Sequence, residues 1–267
     1  MMKKKNIIFL LPSLLGFLIF YIVPFFSIFY YACIDNVFSR EFAGLRNFHE
    51  VMRNRYFLLA MKNTGLFLLI GIPLIMFFSV ATALFLARRA KTSAGKGAFL
   101  QSFFFLPVVL PSVILALFWD SVFPALAKLS PFLSLLVLYV WKYAGLNIML
   151  ILTALTAVDR EILDAAAIDG AGYIRRTVFV TLPCISPVLF FTLILSVVSA
   201  FRIYRESYLL YGNYPDDSVY LLQNYLNNHF LKLDYQNIAA AALLFASVIY
   251  IIVLFWFKSE QKRGLYL

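Results

Sequence analysis

Charge is what this sequence has least of. Only 13% of its 267 residues are Asp, Glu, Lys or Arg, about half the share of an ordinary soluble domain. Histidine is confined to His49 and His229, and cysteine to Cys33 and Cys184. No cluster with metal-ligand spacing can be drawn from them. The expected spans put the two cysteines at opposite membrane faces, too far apart for a disulfide. No glycine-rich loop ends in Lys-Ser or Lys-Thr, so the chain is not expected to bind or hydrolyse ATP. No acid pair, histidine cluster or nucleophile–base set offers the chemistry of a membrane-embedded enzyme. The apolar runs do not alternate with polar residues, which excludes a transmembrane β-barrel.

What the chain has instead is long apolar runs. Hydrophobic residues make up 63% of it, and mean hydropathy is +0.87. Six blocks approach the ~20 residues a helix needs to cross hydrocarbon: 7–33, 63–87, 99–123, 132–157, 186–211 and 238–257. Lys3, Lys4 and Lys5 precede the first block as in a signal peptide, but the run is too long and lacks a small-residue cleavage pattern. The expected fold is an all-α integral membrane protein with six transmembrane helices.

With six spans both termini share a side. If that side is the cytoplasm, it carries Lys3, Lys4, Lys5, Arg88, Arg89, Lys91, Lys96, Arg160, Arg175, Arg176, Lys258, Lys262 and Arg263, against Arg40, Arg46, Arg53, Arg55, Lys62, Lys128 and Lys232 opposite. The excess of basic residues favours both termini inside. The net charge of +10 therefore reads as an orientation signal spread over short loops, not as a nucleic-acid surface.

The largest cytoplasmic stretch, 158–182, is both apolar and charged. Asp159 is placed to cap a helix, with Glu161 in its first turn. Ile162, Ala165, Ala166 and Asp169 recur at helical spacing. The alanines make that face flat enough for another protein to pack against it. Gly170 would end the helix. A second helical piece follows, and Leu182-Pro183 marks the return to the membrane.

This stretch resembles the EAA loop of binding-protein-dependent ABC importer permeases. Asp164 stands at the Glu position of that signature. Ala165 and Ala166 match its alanines, Asp169 and Gly170 its Asp-Gly pair, and Leu182, Pro183 and Pro187 its closing Leu-Pro and later Pro. The family's Ile-Pro ahead of the helix is replaced by Val158-Asp159. The rest of the chain is similar to the sugar-type, MalF-like permeases: Tyr21-Ile22-Val23-Pro24, Gly44-Leu45-Arg46-Asn47-Phe48, Asn63-Thr64, Phe105-Leu106-Pro107 with Trp119, and Trp141-Lys142 with Gly145. The loop after the fifth span departs from the family's Thr-x-Gly-Gly-Pro, reading Tyr211-Gly212-Asn213-Tyr214-Pro215.

The resemblance implies a single permease domain over 1–267 of the MetI-like type, with a cytoplasmic coupling (EAA) loop over 159–183 between helices 4 and 5. It further implies a carbohydrate importer, located in the cell membrane. A polyol or glycerol phosphate is the alternative solute; a secondary transporter, which needs no coupling helix, is the rival mechanism. The implied partners are a second, homologous permease, two ATP-binding subunits that use ATP and Mg, an extracytoplasmic solute-binding protein and membrane lipid, with no nucleic acid. On this resemblance Asp164, Ala165, Ala166, Asp169, Gly170, Arg175 and Arg176 are the ATPase-coupling residues. Charged residues in spans are often functional, so Lys142, Asn147, Arg202, Arg205 and Glu206 are candidates for a path or gate. Arg202 and Glu206, four apart, are expected to pair on one helix face, either as a gate or as a structural ion pair.

Overall fold

Backbone amides have no partners in hydrocarbon, so an apolar chain must satisfy them within each segment. The computed structural model, which describes residues 7–90 and 103–262, does so with helices. A lone antiparallel bridge between Ile34 and Phe42 is its extended pairing among the described residues. The order is α1 (Ile7–Phe17), a π turn (Leu18–Ile22), α2 (Val23–Ala32), α3 (Arg46–Arg53), α4 (Arg55–Ala90), α5 (Phe103–Val109), α6 (Ser112–Val122), α7 (Pro124–Leu129) and α8 (Pro131–Ala157). Then come α9 (Arg160–Ile168), α10 (Tyr173–Arg176), a second π turn (Thr177–Thr181), α11 (Leu182–Cys184), α12 (Ser186–Arg202), α13 (Tyr204–Tyr211), α14 (Leu222–Leu231) and α15 (Tyr235–Lys262).

This is an all-α, multi-pass membrane protein. Among the described residues four helices are long and apolar enough to cross a membrane: Leu10–Ala32, Arg55–Arg89, Pro131–Ala157 and Ser186–Tyr211. The third expected run is not straight: α5 and α6 meet at 118° across Leu110 and Pro111, the geometry of either a broken span or a re-entrant loop. Residues 99–102 of that run, like Lys3 to Lys5, Lys91, Lys96 and Arg263, lie outside the described residues. The sixth run falls within α15, a helix of 28 residues.

Both π turns precede a proline. Pro24 and Pro183 lack an N–H and crowd the carbonyl four residues back, which falls in each case inside the widened turn (Phe20 and Phe179). The Thr181 hydroxyl donates to the Arg176 carbonyl at 3.3 Å.

The chain divides into two compact units. The first holds α1 to α3, α14 and most of α15. The Asn47 amide, buried, donates to the Ala32 and Ile34 carbonyls at 2.9 and 2.7 Å, fastening α3 to the end of α2. Gly44, at φ +59°, makes the turn that lets it reach. Further along, His229 pairs with Asp234 at 2.8 Å across the α14–α15 turn. That hydrogen bond, more than any other influence, holds the Asp234 carboxyl below its ordinary range.

The second unit contains α5 to α13 and α4 from Lys62 onward. Its centre is α8, which is buried along most of its length. Around it pack Phe67 and Ile75 of α4, Leu115 and Trp119 of α6, and Ala200 of α12. The Trp119 indole donates to the Ser134 hydroxyl at 2.8 Å, and the Tyr139 hydroxyl to the Ser196 carbonyl at 2.8 Å. Asn63 of α4 donates to the Asp217 and Tyr220 carbonyls, 154 and 157 residues away. Asn47 and Asn63 thus account physically for two of the sequence elements noted above: the first ties α3 to the end of α2, the second ties α4 to a distant loop.

The tightest crossing is at Gly145. A Cβ there would stand 2.0 Å from the Phe104 carbonyl oxygen and 3.0 Å from the Phe105 Cα. The obstacle is backbone, which cannot swing aside. Gly145→Ala is expected to lower stability by about 1–3 kcal/mol or more, the cost of overpacking a close contact. Thermal unfolding of the detergent-purified protein checks this; a melting temperature unchanged from wild type would contradict the crossing.

Candidate functional site

Two groups of residues carry chemistry that packing alone does not explain. The first lies between the fourth and fifth expected spans. The side chain of Asp159 accepts from the Glu161 N–H at 3.0 Å and starts α9. Gly170, at φ +78°, ends it, with the Ala171 N–H closing back on the Ala166 carbonyl at 3.0 Å. A left-handed residue at this position satisfies the last carbonyls of a helix at least steric cost when it is glycine. The helix so bounded is only nine residues long, and its side chains are exposed or half-buried, with none buried. Ile162 and Ile168 face outward, Ile168 at 87% exposure. A short helix that buries nothing gains little from its own subunit.

Beside α9 opens a cleft of about 570 Å³ lined by Arg160, Leu163, Asp164, Tyr173, Arg176, Thr177 and Thr181. Arg88, near the end of α4, lies over the Tyr173 ring with its guanidinium carbon 3.3 Å from the centroid, a cation–π contact that ties α4 to α10. Of the residues picked out from sequence, Asp164 and Arg176 come together in this cleft. Ala165, Asp169, Gly170 and Arg175 are exposed outside its lining, and Ala166 is half-buried. Arg160, Tyr173, Thr177, Thr181 and Arg88 were not singled out by sequence. For Arg160 the signal was available, since it stands one turn before Asp164 on the same helix.

The second group sits on α8 and α13. Lys142 is paired with Glu206, and both side chains are buried, at 8% and 0% exposure. The Lys142 ammonium also reaches the Ser112 hydroxyl of α6 at 3.3 Å. One Glu206 oxygen has no hydrogen-bond partner among the described residues. Glu206 therefore does not pair with Arg202, as the i,i+4 spacing suggested. Its carboxylate turns into the core toward α8, while Arg202 and Arg205 are exposed. Asn147, buried, donates to the Ser196 hydroxyl at 2.7 Å, and that hydroxyl donates in turn to the Thr192 carbonyl at 2.8 Å. So Lys142, Asn147 and Glu206 are held inside the subunit, and Arg202 and Arg205 present their charge outward.

The chain matches the family described as "Binding-protein-dependent transport system inner membrane component" over residues 67–260. It is 32% identical, over 72% of its own length and 71% of the relative's, to the sn-glycerol-3-phosphate transport system permease protein UgpA of Pectobacterium atrosepticum. It is 27% identical, over 90% of its length and 88% of the relative's, to the trehalose/maltose transport system permease protein MalF of Thermococcus litoralis. In fold it is similar to a chain in the crystal structure of a bacterial ABC transporter involved in the import of the acidic polysaccharide alginate, with a TM-score of 0.74, 22% identity and coverage of 97% of this chain and 95% of that one.

The buried ion pair generates an asymmetric expectation. Lys142→Met leaves a carboxylate uncompensated in the core and should cost about 3–5 kcal/mol, whereas Lys142→Met combined with Glu206→Leu should recover most of that loss. Melting of the single and double variants in detergent measures both, and equal losses would show that the two charges do not depend on each other.

Proposed function

This chain belongs to the family of binding-protein-dependent transport system inner membrane components, and from that premise we propose which solute it moves and how it couples to its motor. It is a permease subunit of an ABC-type importer and does not itself hydrolyse ATP; that work belongs to a partner ATPase. We read it as one permease domain over 1–267 with six spans and both termini in the cytoplasm, an orientation supported by the excess of basic residues on that side. The full assembly on this reading adds a second, different permease, two ATP-binding subunits and an extracytoplasmic solute-binding protein.

The segment 159–183 is proposed as the coupling loop, with α9 entering a groove on the ATPase. Support comes from its form: a capped, glycine-terminated helix with small side chains at Ala165 and Ala166 and none buried in its own subunit. Asp164, Asp169, Gly170, Arg175 and Arg176 complete the contact surface, and the cleft beside Asp164 and Arg176 offers charge of both signs to an entering side chain. ATP-driven closure of the ATPase pair would move α9 as a rigid piece. The spans would then switch between two access states with different contacts.

For the solute, a glycerol phosphate or related phosphate ester is preferred over the carbohydrate expected from sequence. The observation that carries this choice is the 32% identity to a glycerol-3-phosphate permease over 72% of the chain. A saccharide is the second reading, favoured by the longer but weaker match to a trehalose/maltose permease.

Two experiments test these assignments. In proteoliposomes holding the complete transporter, uptake of sn-glycerol 3-phosphate should require both ATP and the binding protein. Uptake of saccharides alone would transfer the assignment to carbohydrate, and uptake driven by an ion gradient without ATP would overturn the coupling. Ala165→Trp should weaken ATPase association by about tenfold, as expected for a clash of roughly 1–3 kcal/mol at a flat contact. Undiminished ATPase copurification and uptake in that variant would remove α9 from the docking surface.

A further inference from the structure

The fifth expected span has two faces. Ser199, Ala200, Ile203, Glu206 and Ser207 are buried. On the other face Phe191, Ile194 and Val198 are exposed, and the same line continues into Arg202 and Arg205, also exposed. These positions follow one another at intervals of three and four residues, so they form one stripe. Its chemistry changes abruptly from apolar to cationic at Arg202.

A guanidinium within a span is costly against lipid, and such residues normally face the bundle interior or a water-filled cavity. Neither Arg202 nor Arg205 pairs with a carboxylate among the described residues. The acid on their own helix segment, Glu206, is turned away and neutralised by Lys142. Tyr204 and Tyr208 stand alongside with ring centroids 5.9 Å apart. Among the described residues, then, two guanidiniums without a salt-bridge partner stand on this stripe beside the Tyr204 and Tyr208 rings.

We propose that Arg202 and Arg205 line the solute path and select for an anionic group on the transported molecule, a phosphate monoester in particular. This rests on the reading of the chain as a permease for a phosphate ester. Two guanidiniums suit a dianionic phosphate, because each can give paired, charge-assisted hydrogen bonds to its oxygens. Keeping Lys142 out of the path through Glu206 limits the site to two charges. A solute held by two is released more easily than one held by three.

The test uses the complete transporter in proteoliposomes with sn-glycerol 3-phosphate as probe. Its phosphate passes from monoanion to dianion around pH 6, the ordinary second pKa of a phosphate monoester. The double variant Arg202→Gln/Arg205→Gln should reduce kcat/KM for uptake about tenfold or more at pH 7.5, and the deficit should shrink to about threefold at pH 5. The binding protein is common to both preparations, so its own pH dependence cancels in the ratio of variant to wild type. Arg202→Lys/Arg205→Lys should fall between wild type and the glutamine variant, because the charge remains while the paired donor geometry is lost.

A deficit of equal size at both pH values, or a lysine variant as impaired as the glutamine one, would mean a structural role and would overturn the inference. Uptake equal to wild type in the glutamine variant would do the same. A deficit that follows the phosphatidylglycerol content of the vesicles instead of the charge of the solute would assign the arginines to lipid headgroups, again against the proposal. Failure of the underlying solute reading looks different: the wild-type transporter itself would move maltose but no phosphate ester.

Discussion

The absence of hydrogen-bond partners in hydrocarbon is the constraint from which the rest of this molecule follows. It forces the chain into helices and makes every interruption of a helix a problem to be satisfied locally. Hydroxyl side chains show the same pressure. Ser27, Ser121, Thr153, Thr177, Ser196 and Ser247 each donate to the carbonyl four residues earlier on their own helix. Two of the prolines that interrupt the ladder, Pro24 and Pro183, are each preceded by a widened turn. The same pressure explains why the buried charge of Glu206 is met by an ammonium: an unmatched carboxylate in such surroundings would be far more costly than the pair.

Several residues that mark the family resemblance turn out to be ties between segments. Asn47 clamps the turn after the first span, and Asn63 reaches loop carbonyls more than 150 residues away. In Trp141-Lys142-x-x-Gly145 every marked residue has a distinct partner. Trp141 stacks on Phe118 at 5.7 Å, Lys142 meets Glu206, and Gly145 admits the backbone at Phe104. Three neighbouring residues of α8 thus engage three other helices. The division of labour is clear: α8 organises the second unit, while α9 and the arginine stripe of the fifth span present chemistry outward.

Hydropathy made most of the fold legible in advance, because span length and apolarity are properties of a single segment. Four of the expected runs appear as long helices in nearly the anticipated places. The third did not, because hydropathy measures composition and carries no angle; only Pro111 hinted at the 118° corner. The bounds of α9 were readable because a cap and a left-handed glycine are local signals, and Asp159 and Gly170 behave accordingly. The partner of Glu206 was not readable. Spacing along one helix suggested Arg202, whereas the true partner lies 64 residues earlier, and nothing local distinguishes the two. The cleft beside α9 was half legible for the same reason: it is assembled from α9, α10 and the π turn, and only the first carried a recognisable pattern.

The crossing at Gly145 has a mechanical consequence. With no free space between α8 and the backbone of α5, these helices cannot slide past each other. Trp119 and Ser112 fasten α6 to the same helix, and Glu206 fastens α13. The group is therefore braced along the 27 residues of α8, about 40 Å at the rise of an α-helix. On the reading of α9 as the coupling helix, a push entering at that end of α8 would be passed along the whole braced group.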